Sequence, residues 1–96
     1  MCLYLPSALR QAALVPLGVA EKAAEAARIA EELRAISNPN MASDLTTAIA
    51  LARAAIEGAL ANVSINLDSI KPETPEGEAF VSEMRARVAA LRGHAD

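Results

Sequence analysis

From Leu45 to Ile70 apolar residues recur at alternating intervals of four and three: Leu45, Ile49, Ala52, Ile56, Ala59, Val63 and Ile70. Asn66 stands where one more apolar residue is due. That period belongs to a helix packed along its length on another helix, not to a strand. It commits the chain to helical layers. Composition agrees, since 53% of the residues are hydrophobic but only 2% aromatic. Alanine supplies much of that fraction and is the strongest helix former. An alanine-rich core buries little area per residue, so 96 residues of this kind are marginally stable alone. Burial against a partner chain is the usual remedy. We therefore expect one all-α domain, residues 1–96, built as an antiparallel helical bundle of about three long helices. Homodimerisation, or a higher homo-oligomer, is expected to complete it.

The first helix is expected from about Pro6 to Ile36, kinked at Pro16, whose ring removes one backbone hydrogen bond. Its packed face reads as Val19, Ala23, Ala26, Ile29, Ala30, Leu33 and Ile36, with Glu21, Glu25, Arg28 and Glu32 opposite. Asn38 before Pro39 is an N-cap followed by a first-turn proline, and Ser43-Asp44 is a second candidate start. The second helix reaches about Ile70. Beside its apolar seam runs a furrow of small residues, Ala48, Ala55 and Gly58, with Asp44 at one end and Asn62 and Ser69 at the other. A furrow of that kind admits another helix or a ligand closely. Thr74-Pro75 starts the third helix, which presents Phe80, Met84, Val88 and Leu91 on one face and ends near Arg92. Gly93 is placed to terminate it as a C′ residue.

Several function classes are disfavoured. Net charge is −3 and no basic stripe is present, which argues against nucleic acid as a partner. No apolar run of about 18 residues is free of charge, so no membrane span is expected. One cysteine, Cys2, makes no internal disulfide, and a reducing, cytoplasmic setting follows. One histidine, His94, and no paired-cysteine or HExxH spacing leave no expected metal site. Cys2 reads as incidental and His94 as a solvated tail residue.

Two polar islands remain, Asn38-Pro39-Asn40-Met41-Ala42-Ser43-Asp44 and Asn62-Val63-Ser64-Ile65-Asn66-Leu67. Asp44 sits in a first turn, where the helix dipole favours a carboxylate. It is either a capping residue, with Ser43, or a carboxylate that binds a cationic or NH-rich group or relays a proton. Asn62 and Asn66 are four apart and share a helix face. Asn66 is either a polar residue that sets the register of an oligomer seam, or half of an amide pair. Such a pair offers donors and acceptors to a flat heterocycle such as a pterin or purine edge. Asp44 and Asn62 are about 27 Å apart on one helix at 1.5 Å per residue. They cannot hold one small group within one chain; an antiparallel pairing of the helix with its copy would bring them together.

Ala12-Ala13-Leu14-Val15-Pro16-Leu17, Asn38-Pro39-Asn40, Ser43-Asp44-Leu45 and Asn62-Val63-Ser64-Ile65-Asn66-Leu67 occur here in this order. Together they resemble the cyclodeaminase domain of formiminotransferase-cyclodeaminase and its stand-alone relatives. Those relatives are the formimidoyltetrahydrofolate cyclodeaminases and methenyltetrahydrofolate cyclohydrolases. The resemblance covers roughly Leu9 to Leu91 and only the back half of the family domain. Family members carry an earlier helical half with a Pro-Gly-Gly-Gly segment, so the chain reads as a truncated or shuffled relative. The resemblance implies a dimeric, all-helical protein of one-carbon metabolism with a tetrahydrofolate derivative as ligand and no metal. The implied reaction is closure of 5-formimidoyltetrahydrofolate to the 5,10-methenyl form with loss of ammonia, or hydrolysis of the methenyl form. It assigns Asp44 as proton relay or pterin-binding carboxylate. Asn38, Asn40, Ser43, Asn62 and Asn66 become polar contacts. The alternative is a non-catalytic dimeric helical module in which these residues are caps and register devices.

Overall fold

The computed structural model describes residues 7–71 and 73–93. The expectations placed on Cys2, Pro6 and His94 lie outside those residues. Three α-helices follow one another, α1 (Ser7–Ile36), α2 (Ala42–Asp68) and α3 (Pro75–Arg92), with a 3₁₀ turn at Pro39–Met41 before α2. No strand occurs among the described residues. α1 and α2 form a long antiparallel hairpin, and the molecule measures 60 × 18 × 16 Å. α3 folds back along one face of it, antiparallel to α2, in the half of the hairpin that holds both open ends.

Local signals account for the boundaries. Asn38 Oδ1 accepts the Asn40 N–H at 2.8 Å and turns the chain between α1 and α2. The Ser37 hydroxyl donates to the Leu33 carbonyl at the end of α1. Thr74 Oγ1 accepts the Gly77 N–H at 3.0 Å, and Pro75 occupies the first turn of α3, where a missing N–H costs nothing. Gly93 ends α3 differently from expectation. Its φ is −62°, so the helix stops without the left-handed residue that a C′ glycine supplies. α1 continues on both sides of Pro16.

The core is a seam of alanines fitted against a seam of larger side chains. α1 buries Ala13, Leu17, Ala20, Ala24, Ala27 and Ala30. Opposite them α2 buries Leu45, Ile49, Ile56, Ala59, Leu60, Val63 and Leu67. Small residues on one helix let the two axes approach, and branched residues on the other fill the space between them. Met84 and Val88 of α3 close the same core from below, with Phe80 and Leu91 packed beside them. The seam read from α2 is therefore largely the buried one, with Leu60 and Leu67 added and Ala52 only partly covered.

The packed face of α1 is a correction. Of the residues expected there only Ala30 is buried, and Ala23 is half-buried. Val19, Ile29, Leu33 and Ile36 are 50%, 47%, 43% and 82% exposed. α1 is apolar on two sides, and the bulkier side looks like the core to any count of hydrophobicity. The geometry of close packing selects the alanine side instead.

Charged pairs at the surface link the helices. Both guanidinium N–H groups of Arg87 on α3 reach Glu21 on α1, at 2.8 and 3.2 Å. Arg85 pairs with Asp68 at 2.8 Å and Arg53 with Glu31 at 3.2 Å. Pro39–Asp68 is long and apolar enough, by length and composition alone, to cross a membrane. Arg53 and Glu57 interrupt its middle, and only 28% of its apolar window is buried within the chain.

Candidate functional site

Pro16 sets up the most distinctive local geometry. Having no N–H, it cannot bond the carbonyl of Ala12 four residues earlier. Asn66 supplies the missing donor from the other helix: its Nδ2 lies 2.6 Å from the Ala12 oxygen. A polar side chain in the α2 seam thus completes a backbone hydrogen bond that the proline in α1 leaves open. Asn66 is neither a bare seam asparagine nor a free recognition group. One of its amide N–H groups is spent on α1.

The same two residues line a groove of about 730 Å³ between the helices. α1 contributes Gln11, Ala12, Val15, Pro16 and Val19; α2 contributes Ala55, Ala59, Asn62 and Asn66. The walls are apolar, and the amides of Asn62, Asn66 and Gln11 are the polar groups at the rim. Asn62 is exposed at this rim. The shape suits a flat, partly apolar molecule with hydrogen-bonding edges, which walls of this kind cover while the amides fix its orientation.

The other polar island lies at the far end of the hairpin. Asn38, Asn40, Ser43 and Asp44 are all exposed and outside the groove. Asn38 is engaged as a cap, and the Ser43 carbonyl accepts the Thr47 hydroxyl at 3.0 Å. Asp44 stands in the first turn of α2, eighteen residues from Asn62 on the same helix, about 27 Å away. The structure therefore gathers Asn62 and Asn66 into one site and leaves Asn38, Asn40, Ser43 and Asp44 at another. Sequence reasoning missed Gln11, Val15 and Val19 as groove residues. The signal that pointed to them is Pro16: a proline inside a helix needs a donor from elsewhere, and that donor arrives with the neighbouring helix. Among the described residues no three His, Cys, Asp or Glu side chains come together in a way that could hold a metal.

Helical layers, a polar-edged groove at the Pro16 level and the two asparagines define a small all-α protein with a ligand-sized cleft between its long helices. The family profile described as formiminotransferase-cyclodeaminase matches residues 4–90, and the chain belongs to that family. No curated protein and no solved structure matches it.

Proposed function

We propose that this chain binds a reduced folate in the α1–α2 groove, with the pterin edge on Asn62 and Asn66. The observation that carries the reading is the asparagine pair, four residues apart on one helix and opening on an apolar groove of about 730 Å³, in a chain of a folate-related family. The walls formed by Val15, Pro16, Val19 and Ala55 cover the faces of the ring system, and the amides read its donors and acceptors. The chemistry proposed is that of a cyclodeaminase or cyclohydrolase. It closes 5-formimidoyltetrahydrofolate to the 5,10-methenyl form with loss of ammonia, or opens the methenyl form with water. Either direction needs N10 held against the one-carbon unit and a proton delivered to, or taken from, the departing group. Asp44 is proposed as that proton relay or as a pterin-binding carboxylate, with Asn38, Asn40 and Ser43 as polar neighbours. Its distance from Asn62 means that a joint site is assembled from two chains in a homo-oligomer. The protein is proposed to work in the cytoplasm without a metal.

The test is titration calorimetry and thermal unfolding with a stable reduced folate. Binding heat and a rise in the midpoint are expected, because a ligand of the folded state stabilises it. Asn62→Ala is expected to abolish both while leaving the free protein's midpoint within a degree or two, since Asn62 is exposed and bonds nothing in the fold. No heat with any folate overturns the reading.

A second reading has a specific observation behind it. Asn66 already serves the fold through Ala12, and Asn38 serves it as a cap. In a non-catalytic helical module these residues are structural devices and the groove holds no ligand. Release of ammonia from the formimidoyl substrate, measured with and without Asp44→Ala, separates the two. Activity that Asp44→Ala removes supports the enzyme; absence of both activity and folate binding supports the structural module.

A further inference from the structure

The groove between α1 and α2 changes character along its length. The amides of Gln11, Asn62 and Asn66 stand at one end, and Val19, Ala55 and Ala59 line the other. Within the chain Ala12 stands level with Asn66, and Ala30 with Leu45 and Ile49. Counting along both helices from these anchors puts Pro16 beside Asn62, Val19 beside Ala59, and Lys22 beside Ala55. The polar and apolar ends are therefore successive levels of one channel. No residue that lines it is charged.

Lys22 is the next residue on the same face of α1, three beyond Val19 and about 4.5 Å further along the axis. A helical side chain leans towards the N-terminus of its own helix. The stem of Lys22 therefore runs back over the Val19 level, towards the open end of the groove. Lys22 is exposed, and no carboxylate among the described residues pairs with it. By contrast, Arg53, Arg85 and Arg87 are held in ion pairs between helices, and Arg10 stands over the Phe80 ring. Beside Lys22, α2 offers only Ala55 and Gly58, and a Cβ built on Gly58 would meet nothing within 4 Å. Small residues thus keep the way open from the apolar end of the groove to the ammonium.

We propose, on the folate reading of this groove, that Lys22 binds the carboxylate tail of the ligand whose pterin lies on Asn62 and Asn66. A reduced folate carries three parts in order: a flat ring with donors and acceptors, an apolar aminobenzoyl ring, and a glutamate with two carboxylates. The groove offers amides, then Val19 with Ala55 and Ala59, then an ammonium, in the same order. From Ala12 to Lys22 the helix rises about 15 Å, so the amides and the ammonium meet opposite ends of an extended ligand. The methylene stem of Lys22 covers apolar surface while its charged head stays in water. Lys22 then makes the site selective for an anionic tail, which the uncharged groove cannot be.

Titration calorimetry at low salt tests this with 5-formyltetrahydrofolate and with its glutamate diamide, in which both carboxylates are neutral. Wild type is expected to bind the folate about two- to fivefold more tightly than the diamide, the size of an exposed ion pair. High salt is expected to erase that preference. Lys22→Gln is expected to lose the same two- to fivefold for the folate and nothing for the diamide. Lys22→Arg is expected to restore it, and Lys22→Glu to reverse the preference. Arg28→Gln, an equal change of net charge on the far side of α1, is expected to alter neither ligand. Lys22→Gln that binds the folate as tightly as wild type overturns the proposal. An equal loss for folate and diamide also overturns it, because that marks a structural effect. Both outcomes leave the groove as a folate site if Asn62→Ala still abolishes binding. Failure of wild type to bind either compound overturns the folate reading itself, and the role of Lys22 with it.

Discussion

At the scale of single residues, Asn66 and Pro16 form one functional unit of the fold. Removing the amide leaves the Ala12 carbonyl without its donor, a loss of about 1 kcal/mol for a half-buried neutral hydrogen bond. Asn66→Ala is therefore expected to lower the urea midpoint by that amount at unchanged slope. Pro16→Ala returns an N–H to the helix and removes a penalty of about 3 kcal/mol, so it is expected to stabilise. The two changes are coupled. In the Pro16→Ala background the cost of Asn66→Ala is expected to fall towards zero, and a double-mutant cycle with no coupling would refute the link. Thr74 acts alone: Thr74→Ala is expected to cost about 1 kcal/mol through the Gly77 N–H it caps. The Glu21–Arg87 pair is half exposed on both sides, and Glu21→Ala is expected to cost under about 1 kcal/mol.

Elements differ in how they tolerate volume. α1 meets α2 through alanines, so enlarging one of them forces the helices apart. Ala20→Leu is expected to destabilise by at least about 1–3 kcal/mol. Leu17 and Ile56, both fully buried, lose a side chain's worth of packing on truncation, and Leu17→Ala is expected to cost about 2–5 kcal/mol by chemical denaturation. The seam of α2 and the apolar face of α3 were legible because each has one apolar side. α1 was not, because its Val19–Ile36 side and its Ala13–Ala30 side carry the same period. Only the second fits within the approach distance that α2 demands.

For the whole molecule, elongation is the governing fact. A compact domain of this length has a radius of gyration of about 12–13 Å, whereas this chain has 16.6 Å. An extended hairpin covers little of itself, and Val15, Val19, Ile29, Leu33, Ile36, Leu51 and Ile65 stay open to solvent. If a second copy covers them, folding and assembly are linked by mass action. The thermal midpoint is then expected to rise with protein concentration, and a midpoint that is independent of concentration argues for a chain that folds alone.

What the sequence by itself determined is the helical class, the approximate element boundaries and the caps at Asn38 and Thr74. All of these are set within a few residues along the chain, by propensity, by Asn38-Pro39 and by Thr74-Pro75. Most of the α2 seam belongs with them, since its period is a local property. Tertiary structure alone decided which side of α1 is core and what Asn66 bonds. It also decided that Asn62 and Asn66 open on a groove while Asp44 stands at the far end. Those outcomes depend on a second helix arriving at a set distance and rotation. Pro16 opens a carbonyl in α1, but only the packing of α2 against it brings an amide to close it.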